Sequence, residues 1–407
     1  MPPAKPSAKP GPARPVLRAL AVLGAACLAA AAPPFGQDLS PRPVLAPVGP
    51  AAEPAGTETR VALGPGGRDI RVAGDLSEGV AARVAALLSA HPGVGRLHLT
   101  SDGGLVAEAE ALGALVTARG LATYVPDACA SACTLVFVRG RERYLATGGR
   151  LGFHAPYEAD PSGAATPVDP APERAAYLAA GVPADFAAEA LAVPSDDLWI
   201  PDPIRLREAG IVTALVDTGR FPDSTLDADP SPAAARAQIL RNLPVLAGEV
   251  DAVAGLAGWY RDGYLAGRSE AAAIEGLRRR ASAHLRRRLR AADDATVLSF
   301  AGVVLAALEA ADTGAEACEA VADGDLVALD AALRAGRPAA PGLDAILAGT
   351  RPDAAARPDG AAPGGPGPCG RLIAATRRAR DGAGAAAALR GLLLRDPPAV
   401  IASAALP

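Results

Sequence analysis

The apolar positions follow two different periods between about residue 60 and residue 130. Residues 77–90 and 105–119 place apolar side chains at helical spacing, and Ser77 is expected to cap the first of these helices. Around them lie short aliphatic runs typical of strands: RVAL, DIRVAGDL and RLHLT. Because strands alternate with helices of this length, we predict βα units and an α/β fold with a mainly parallel sheet over residues 58–220.

After about Ser231 the pattern changes to helical spacing throughout. Successive amphipathic segments predict a separate all-α domain over residues 231–335. Residues 336–370 are rich in Pro and Gly and predict a linker, and residues 371–407 a last helix and a tail. Prolines crowd residues 156–172, so we expect a loop there, followed by short helices.

Basic residues followed by an uncharged run open the chain. Lys9, Arg14 and Arg18 precede this run, which ends in small residues. The order is typical of a signal peptide over residues 1–32, and the run is short for a membrane span. An uncleaved anchor is the alternative, and it would keep the chain near a membrane. Residues 33–57 are rich in Pro and Ala and predict an extended linker, so we expect an exported, periplasmic protein.

Charge and composition narrow the classes of function. The 407 residues carry 40 Lys+Arg against 44 Asp+Glu, and this net charge of −4 gives no reason to expect a nucleic-acid partner. Aromatic residues make up 3% of the chain, so its cores must be built from Ala, Leu and Val. No lysine follows Lys9, which excludes a Ser–Lys catalytic pair from a mature exported protein.

Outside the predicted signal peptide the number of cysteines is even, which is typical of disulfides in an oxidising compartment. The simplest pairing joins Cys129 to Cys133 and Cys318 to Cys369, although other connectivities stay open. Residues four apart on a helix have Cα atoms about 6 Å apart, within disulfide range. A zinc site on the first pair is the alternative, with His154 as the one further ligand at hand.

Gly103 and Gly104 stand between a predicted strand and the helix over residues 105–119. Backbone N–H groups at such a helix start suit an oxyanion or a phosphate. The glycines belong to neither a P-loop nor a GxGxxG motif. The alternative is a strand-to-helix turn that needs positive φ.

Ser131 lies in CASACTL, at a second predicted strand-to-helix junction. A serine in this position is commonly an N-cap. The same position also exposes a nucleophile and turns the N–H of Ala132 toward a developing oxyanion. A cysteine nucleophile in place of Ser131 is a further alternative.

His154 follows a predicted strand in RLGFHAPY. Parallel strands end at one edge of a sheet, so this histidine is a candidate general base for Ser131, with a structural role as the alternative. Asp196 and Asp197 precede an apolar segment, and either one is a candidate to orient the imidazole or a simple turn acid.

Taken in order, these segments resemble the Clp protease proteolytic subunit family, and more closely its exported, periplasmic bacterial relatives. The resemblance covers about residues 60–216 and rests on DIRVAGDL, LHLTSDGG, CASACTL, RLGFHAPY and the acidic segment before LREAGIV. It implies a ClpP/crotonase-like fold of stacked ββα units. The site that it implies is an oxyanion hole at Gly103, Gly104 and the Ala132 N–H, the nucleophile Ser131, the base His154 and the acid Asp197, with Asp196 next.

The chain departs from that family in the cysteines beside Ser131 and in the proline-rich loop after His154, which shortens the region of the handle helix. We therefore expect no two-ring barrel, while a homo-oligomer stays open, and export removes any ATP-driven unfoldase partner. The sequence predicts an ATP-independent serine hydrolase acting on peptides or proteins through Ser131, His154 and Asp197, with no cofactor and no metal. A catalytically inactive envelope scaffold and an esterase with the same triad are the alternatives.

Overall fold

The computed structural model describes residues 59–159, 165–336, 339–349 and 367–396. The predicted signal peptide, 1–32, and the linker, 33–57, lie outside these ranges. Within them, no helix is long and apolar enough to cross a membrane.

The centre of the α/β region is a six-stranded sheet in the order β1-β2-β3-β4-β6-β10. Strand β1 pairs antiparallel at one edge, and every other pair in this sheet is parallel, which confirms the mainly parallel sheet. The strands are β1 (Arg60–Leu63), β2 (Asp69–Ala73), β3 (Arg96–Thr100), β4 (Ala122–Val125), β5 (Ala128–Ala130), β6 (Arg143–Ala146), β7 (Arg150–Gly152), β8 (Tyr157–Ala159), β9 (Ala165–Pro167) and β10 (Ala214–Val216).

Six helices accompany these strands: α1 (Val80–Ala90), α2 (Val106–Arg119), α3 (Ala132–Phe137), α4 (Ala171–Ala179), α5 (Ala184–Ala190) and α6 (Pro203–Glu208). Helix α1 buries Val80, Val84 and Leu88, which recur every four residues on one face. The prediction that Ser77 caps this helix is wrong. The N-cap is Gly79 with φ 83°, and the Glu108 carboxylate of α2 accepts its N–H at 2.8 Å instead.

A short second layer of strands carries the chain beyond the main sheet. Strand β5 pairs parallel with β7, and Ser101, just past β3, forms a bridge with Cys129 of β5. Phe153, just past β7, forms an antiparallel bridge with Trp199. This layer brings together the three segments that follow β3, β5 and β7. The predicted oxyanion hole, nucleophile and base lie in these segments.

The remaining helices form the C-terminal region: α7 (Pro232–Asn242), α8 (Val250–Leu265), α9 (Glu270–Ala291), α10 (Asp294–Glu309), α11 (Gly314–Asp323), α12 (Leu326–Ala335), α13 (Leu343–Leu347), α14 (Pro368–Asp381) and α15 (Ala385–Leu393). Helices α13 and the start of α14 fall inside the segment predicted as a linker. The predicted last helix is two helices, because Gly384, with φ 71°, interrupts it.

The sheet region and the helical region each have a hydrophobic cluster of their own, although both lie in one compact unit. Ile70, Leu97 and Phe137 belong to the first cluster, and Phe300 and Leu329 to the second. The helical C-terminal region is therefore confirmed, while the exact domain limits, 58–220 and 231–335, stay predictions.

Buried ion pairs join the sheet to the chain that follows it. The Arg71 guanidinium of β2 donates to Oδ1 of Asp227 at 2.6 Å and to Oδ2 of Asp69 at 3.2 Å. Tyr264 of α8 donates its hydroxyl to the same Asp227 oxygen at 2.7 Å. Burial raises the pKa of Asp227, and the positive charge of Arg71 offsets part of this effect.

Candidate active site

Ser131 occupies a sharp turn between β5 and α3. Its φ of 53° makes it the one non-glycine residue with positive φ in the described part of the chain. Its N–H donates to the Gly152 carbonyl of β7 at 2.8 Å, which holds the turn against the second layer. Ser131 is the N-cap residue of α3 but makes no side-chain cap hydrogen bond. Its hydroxyl is therefore available, on a backbone conformation that costs on the order of 1–3 kcal/mol.

A disulfide encloses this turn. Cys129 and Cys133 are bonded across Ser131, with Cα atoms 5.4 Å apart. Cys129 belongs to β5 and Cys133 to α3, so the bridge spans the junction and does not lie along one helix. Both cysteines are fully buried. Because a zinc ligand and a cysteine nucleophile both need a thiolate, the disulfide overturns these two alternatives.

Gly103 approaches Ser131 so closely that no other residue fits in its place. A Cβ at Gly103 would lie 2.7 Å from the Ser131 Cβ, and the glycine has φ 121°. Gly104, with φ 128°, packs in the same way against the backbone of Leu76. The Leu76 N–H donates to the Gly103 carbonyl at 2.7 Å, which fixes the plane of the turn.

The backbone N–H groups near Ser131 differ in what they bind. The Gly103 N–H donates to the Ser101 hydroxyl at 3.2 Å, so it is already engaged. The N–H groups of Gly104 and Ala132 have no hydrogen-bond acceptor in the described part of the structure. These two are therefore better placed than Gly103 to serve as oxyanion donors.

His154 follows β7 and lies in the same cleft as Ser131. Its Nδ1 is 2.7 Å from the Ala155 carbonyl oxygen, and because a carbonyl only accepts, Nδ1 carries the proton of the neutral ring. Nε2 is then an acceptor, as a general base requires. No hydrogen bond between Nε2 and the Ser131 hydroxyl exists among the described residues.

The structure does not bring the predicted acid to His154. Oδ1 of Asp197 accepts the N–H of its own neighbour Leu198 at 2.7 Å, and the residue is exposed. Asp196 is also exposed. Neither aspartate forms a hydrogen bond or ion pair with His154 in the residues that the structure describes, although the Phe153–Trp199 bridge holds their segment beside β7.

A carboxylate that the sequence did not single out lies in this cleft instead. Glu173 of α4 is 8% exposed, and its Oε2 is buried with no hydrogen-bond partner in the described structure. Tyr177, one turn later, shares a hydrogen bond of 2.7 Å with the Thr134 hydroxyl of α3. Burial is the main cause that raises the pKa of Tyr177 to about 12. The signal available in the sequence was the spacing of Glu173 and Tyr177, which places both on one helix face.

The cleft that contains these groups is small, with about 20 Å³ of space, room for about one water molecule. Its other walls are apolar and come from Val106, Leu135, Pro156 and Leu191. A larger groove of about 360 Å³ lies between α7 and α8, lined by small side chains, two arginines and Asp262. That groove holds no nucleophile beside a base, so the smaller cleft is the candidate active site.

Comparison with known proteins gives no family assignment. No protein-family model matches the chain, and no curated protein matches it. It is similar in structure to ClpP1 from Listeria monocytogenes, with 14% identity and a TM-score of 0.30 over 37% of this chain and 91% of that one. It is also similar to a mutant of the membrane-bound stomatin-specific protease 1510-N in complex with a substrate peptide, with 14% identity and a TM-score of 0.31 over 38% of this chain and 79% of that one.

Likenesses at these TM-scores carry no argument about activity. Within the residues that the structure describes, this chain has a constrained serine, a histidine whose Nε2 has no hydrogen-bond donor, and two backbone N–H groups without an acceptor.

Proposed function

We propose that this protein is an exported, ClpP-like serine hydrolase that cleaves peptide bonds without ATP, through Ser131 and His154. One observation carries the proposal. Ser131 alone among the described non-glycine residues is held at positive φ, on a strand-to-helix turn whose hydroxyl is not used as a cap. Local strain of this kind is concentrated at functional sites.

The reaction follows an acyl-enzyme route. Nε2 of His154 takes the proton of the Ser131 hydroxyl while Oγ forms a bond to the substrate carbonyl carbon. The carbonyl π electrons move to the oxygen, and the N–H groups of Gly104 and Ala132 bind the resulting oxyanion. The C–N bond then breaks and His154 returns the proton to the leaving amine. Water hydrolyses the ester by the same steps, with His154 again as base.

The third member of the site is the open part of this proposal. The Ala155 carbonyl holds Nδ1 of His154 here, and it can fix the tautomer but brings no negative charge to stabilise an imidazolium. Asp197, with Asp196 next, stays our prediction for the acid on the strength of the family resemblance. Its Oδ1 accepts the Leu198 N–H here, so the Asp197 segment or side chain would have to move for the carboxylate to reach the ring.

Export and periplasmic location are part of the proposal, supported by the pattern of residues 1–32 and by the two disulfides. A peptide or protein substrate, a homo-oligomer and membrane proximity through the N-terminus are proposed on the same footing. N-terminal sequencing of the protein recovered from the expressing bacterium tests export. An intact Met1 in the cytosolic fraction contradicts it.

The test of catalysis is labelling of the purified protein with a neutral alkyl fluorophosphonate, which reacts only with an activated serine. The unaltered chain should be labelled, Ser131→Ala should lose all labelling, and His154→Ala should slow it at least about 100-fold. Ser89→Ala is the matched control, because Ser89 lies on the exposed face of α1 and its hydroxyl donates to the Ala85 carbonyl of its own helix. Labelling that survives in Ser131→Ala contradicts the proposal.

An inactive scaffold is the second candidate, and a specific observation favours it. No hydrogen bond joins Ser131 to His154 in the described chain, and no carboxylate forms a hydrogen bond or an ion pair with His154 there. Absence of labelling in the unaltered, folded protein would establish this reading. Peptide and ester substrates then separate peptidase from esterase if labelling occurs.

A further inference from the structure

A chain of two hydroxyl groups ends on the backbone carbonyl of the candidate nucleophile. The Thr134 hydroxyl of α3 lies 2.7 Å from the Ser131 carbonyl oxygen, and the Tyr177 hydroxyl of α4 lies 2.7 Å from the Thr134 hydroxyl. Because a carbonyl oxygen only accepts, Thr134 donates its proton to Ser131. Tyr177 must then donate to Thr134. The hydrogen bonds therefore run in one direction, from α4 through α3 to the turn that holds Ser131.

Both hydroxyl groups lie in the protein interior. Thr134 is fully buried, and Tyr177 is 5% exposed. Burial is the main cause that raises the pKa of Tyr177 to about 12, so its phenol keeps the proton at neutral pH. The ring of Tyr177 also packs against Phe153, the residue before the candidate base, with 6.3 Å between ring centroids. The donor that begins the chain is thus protonated and held in place.

The second hydrogen bond distinguishes Thr134 from an ordinary helical threonine. A threonine on a helix commonly donates to a carbonyl of the preceding turn, and such a bond alone indicates no function. Thr117 of α2 and Thr376 of α14 donate in this way within their own helices. Neither of these two hydroxyls has a further hydrogen bond in the described part of the chain. Thr134 accepts from a tyrosine of another helix, and the carbonyl it binds belongs to the strained turn between β5 and α3.

The Ser131 carbonyl shares a peptide plane with the N–H of Ala132. Because the peptide unit is planar and trans, this N–H points opposite to the carbonyl. Ala132 lies at the candidate cleft, and its N–H has no acceptor among the described residues. Ser131 has φ 53° and ψ −130°, close to the first central position of a type II′ turn, which favours glycine. A serine there needs contacts that hold the plane, and the Thr134 hydroxyl supplies one.

We infer that Thr134 and Tyr177 are positioning residues that hold the peptide plane between residues 131 and 132, and with it the Ala132 N–H, in the orientation that binds the oxyanion. This inference rests on the proposed hydrolase function and adds two residues to its site. Neither hydroxyl touches the substrate or transfers a proton in the reaction. Both act through the backbone of Ser131.

Labelling by the neutral alkyl fluorophosphonate tests this inference. Thr134→Val removes the central hydroxyl and should slow labelling at least about 10-fold, because a correctly placed oxyanion donor contributes about 100-fold or more. Tyr177→Phe removes only the outer hydroxyl and should slow labelling about threefold. Thr134→Ser keeps a hydroxyl and should recover most of the rate lost in Thr134→Val. Thr376→Val is the matched control, because Thr376 is also a fully buried helical threonine, and it should keep the rate of the unaltered chain.

The double variant Thr134→Val/Tyr177→Phe separates positioning from a merely structural role. Thr134→Val leaves the buried Tyr177 hydroxyl without its acceptor and should lower the midpoint of urea unfolding, whereas the double variant removes both hydroxyls and should recover part of that midpoint. Labelling should nevertheless stay as slow as in Thr134→Val, because the Ser131 carbonyl still lacks its donor. Labelling that recovers together with stability overturns the inference. Labelling of a folded Thr134→Val at the rate of the unaltered chain also overturns it.

If the unaltered, folded chain is not labelled, the hydrolase proposal fails, and NMR decides whether the two hydroxyls hold the plane. The ¹³C resonance of the Ser131 carbonyl should move upfield in Thr134→Val and by a smaller amount in Tyr177→Phe, because the carbonyl loses or weakens a hydrogen bond. Thr376→Val should leave it unchanged. An unmoved resonance in Thr134→Val overturns the inference independently of catalysis. Should Thr134→Val not fold, Tyr177→Phe decides by the same criterion.

Discussion

At the scale of single residues, the site depends on close approach between two turns. Ser131 takes positive φ at an energetic cost, and Gly103 is the neighbour that makes room for it. Gly104 is the next residue, and its N–H has no acceptor among the described residues. The close packing of the two turns and the position of the nucleophile thus depend on the same backbone conformation.

Gly103→Ala tests this coupling. The added Cβ would lie 2.7 Å from the Ser131 Cβ, and alanine is strained at φ 121°. We expect fluorophosphonate labelling to fall at least about 10-fold and the free energy of unfolding to drop by about 1–3 kcal/mol. Gly93→Ala is the control, since a Cβ there meets nothing within 4 Å. Labelling of Gly103→Ala at the rate of the unaltered chain would contradict the arrangement.

The sequence was informative about residues whose role is set by local backbone, and less so about burial. Ser131, Gly103 and Gly104 lie at strand-to-helix turns that small-residue patterns predict well. Glu173 was missed because an acid in the first turn of a short helix is usually solvent-exposed and stabilises the helix dipole. Its burial follows from the packing of α4 on α3, which links residues distant in sequence.

At the scale of secondary-structure elements, the two disulfides perform different tasks. Cys129–Cys133 closes a sequence separation of 4 across one strand-to-helix junction, whereas Cys318–Cys369 closes a separation of 51 and ties α11 to α14. The conformational entropy removed from the unfolded chain grows with the length of the closed loop. Removal of Cys318–Cys369 should therefore lower stability more, whereas removal of Cys129–Cys133 should lower catalysis more.

We expect Cys129→Ala/Cys133→Ala to lose about 2 kcal/mol of unfolding free energy and Cys318→Ala/Cys369→Ala about 4 kcal/mol. Urea unfolding measures both. Labelling of Ser131 should decrease only in the first pair, because that bridge constrains the turn. An equal loss of labelling in both pairs, with both variants folded, would refute the assignment of the first bridge to the site.

Elements were predicted well where they are long and periodic. Helices α1 and α2 and the parallel strands follow directly from their apolar spacing. The three-residue strands β5 and β7 could not be delimited, because so short a run has no measurable period. Their pairing is decided by contacts between segments, and it is this second layer that sets the distance between Ser131 and His154.

At the scale of the whole molecule, a buried polar cluster links the sheet to the helical region. The segment after β10 showed no element in the sequence, yet it supplies Ser224 and Asp227 to the sheet. Nε2 of His98 accepts from Arg96 at 2.7 Å, and Nδ1 lies 3.0 Å from the Ser224 hydroxyl. The imidazole is therefore neutral, with its proton on Nδ1. Sequence patterns could not show this, since each partner lies on a different segment.

Burial holds the pKa of His98 well below its usual value of 6.5, and the positive charges of Arg96 and Arg71 lower it further. The Asp69 carboxylate lies 3.8 Å from Nε2, but burial and the two guanidinium groups outweigh its negative charge. Below pH 6.5 the His98 imidazole binds a proton in the unfolded chain but stays neutral in the folded chain. Stability from this group is thus present above pH 6.5 and lost as pH falls through the lowered pKa.

We therefore expect the free energy of unfolding, measured with urea from pH 8 to pH 5, to decrease on acidification. In His98→Gln this decrease should be smaller, because glutamine does not titrate, even though the variant is less stable at pH 8. His91→Gln, at the end of α1, is the control and should keep the slope of the unaltered chain. If His98→Gln keeps that slope as well, His98 is not the group that makes folding sensitive to acid. The buried neutral histidine then has no part in the loss of stability at low pH.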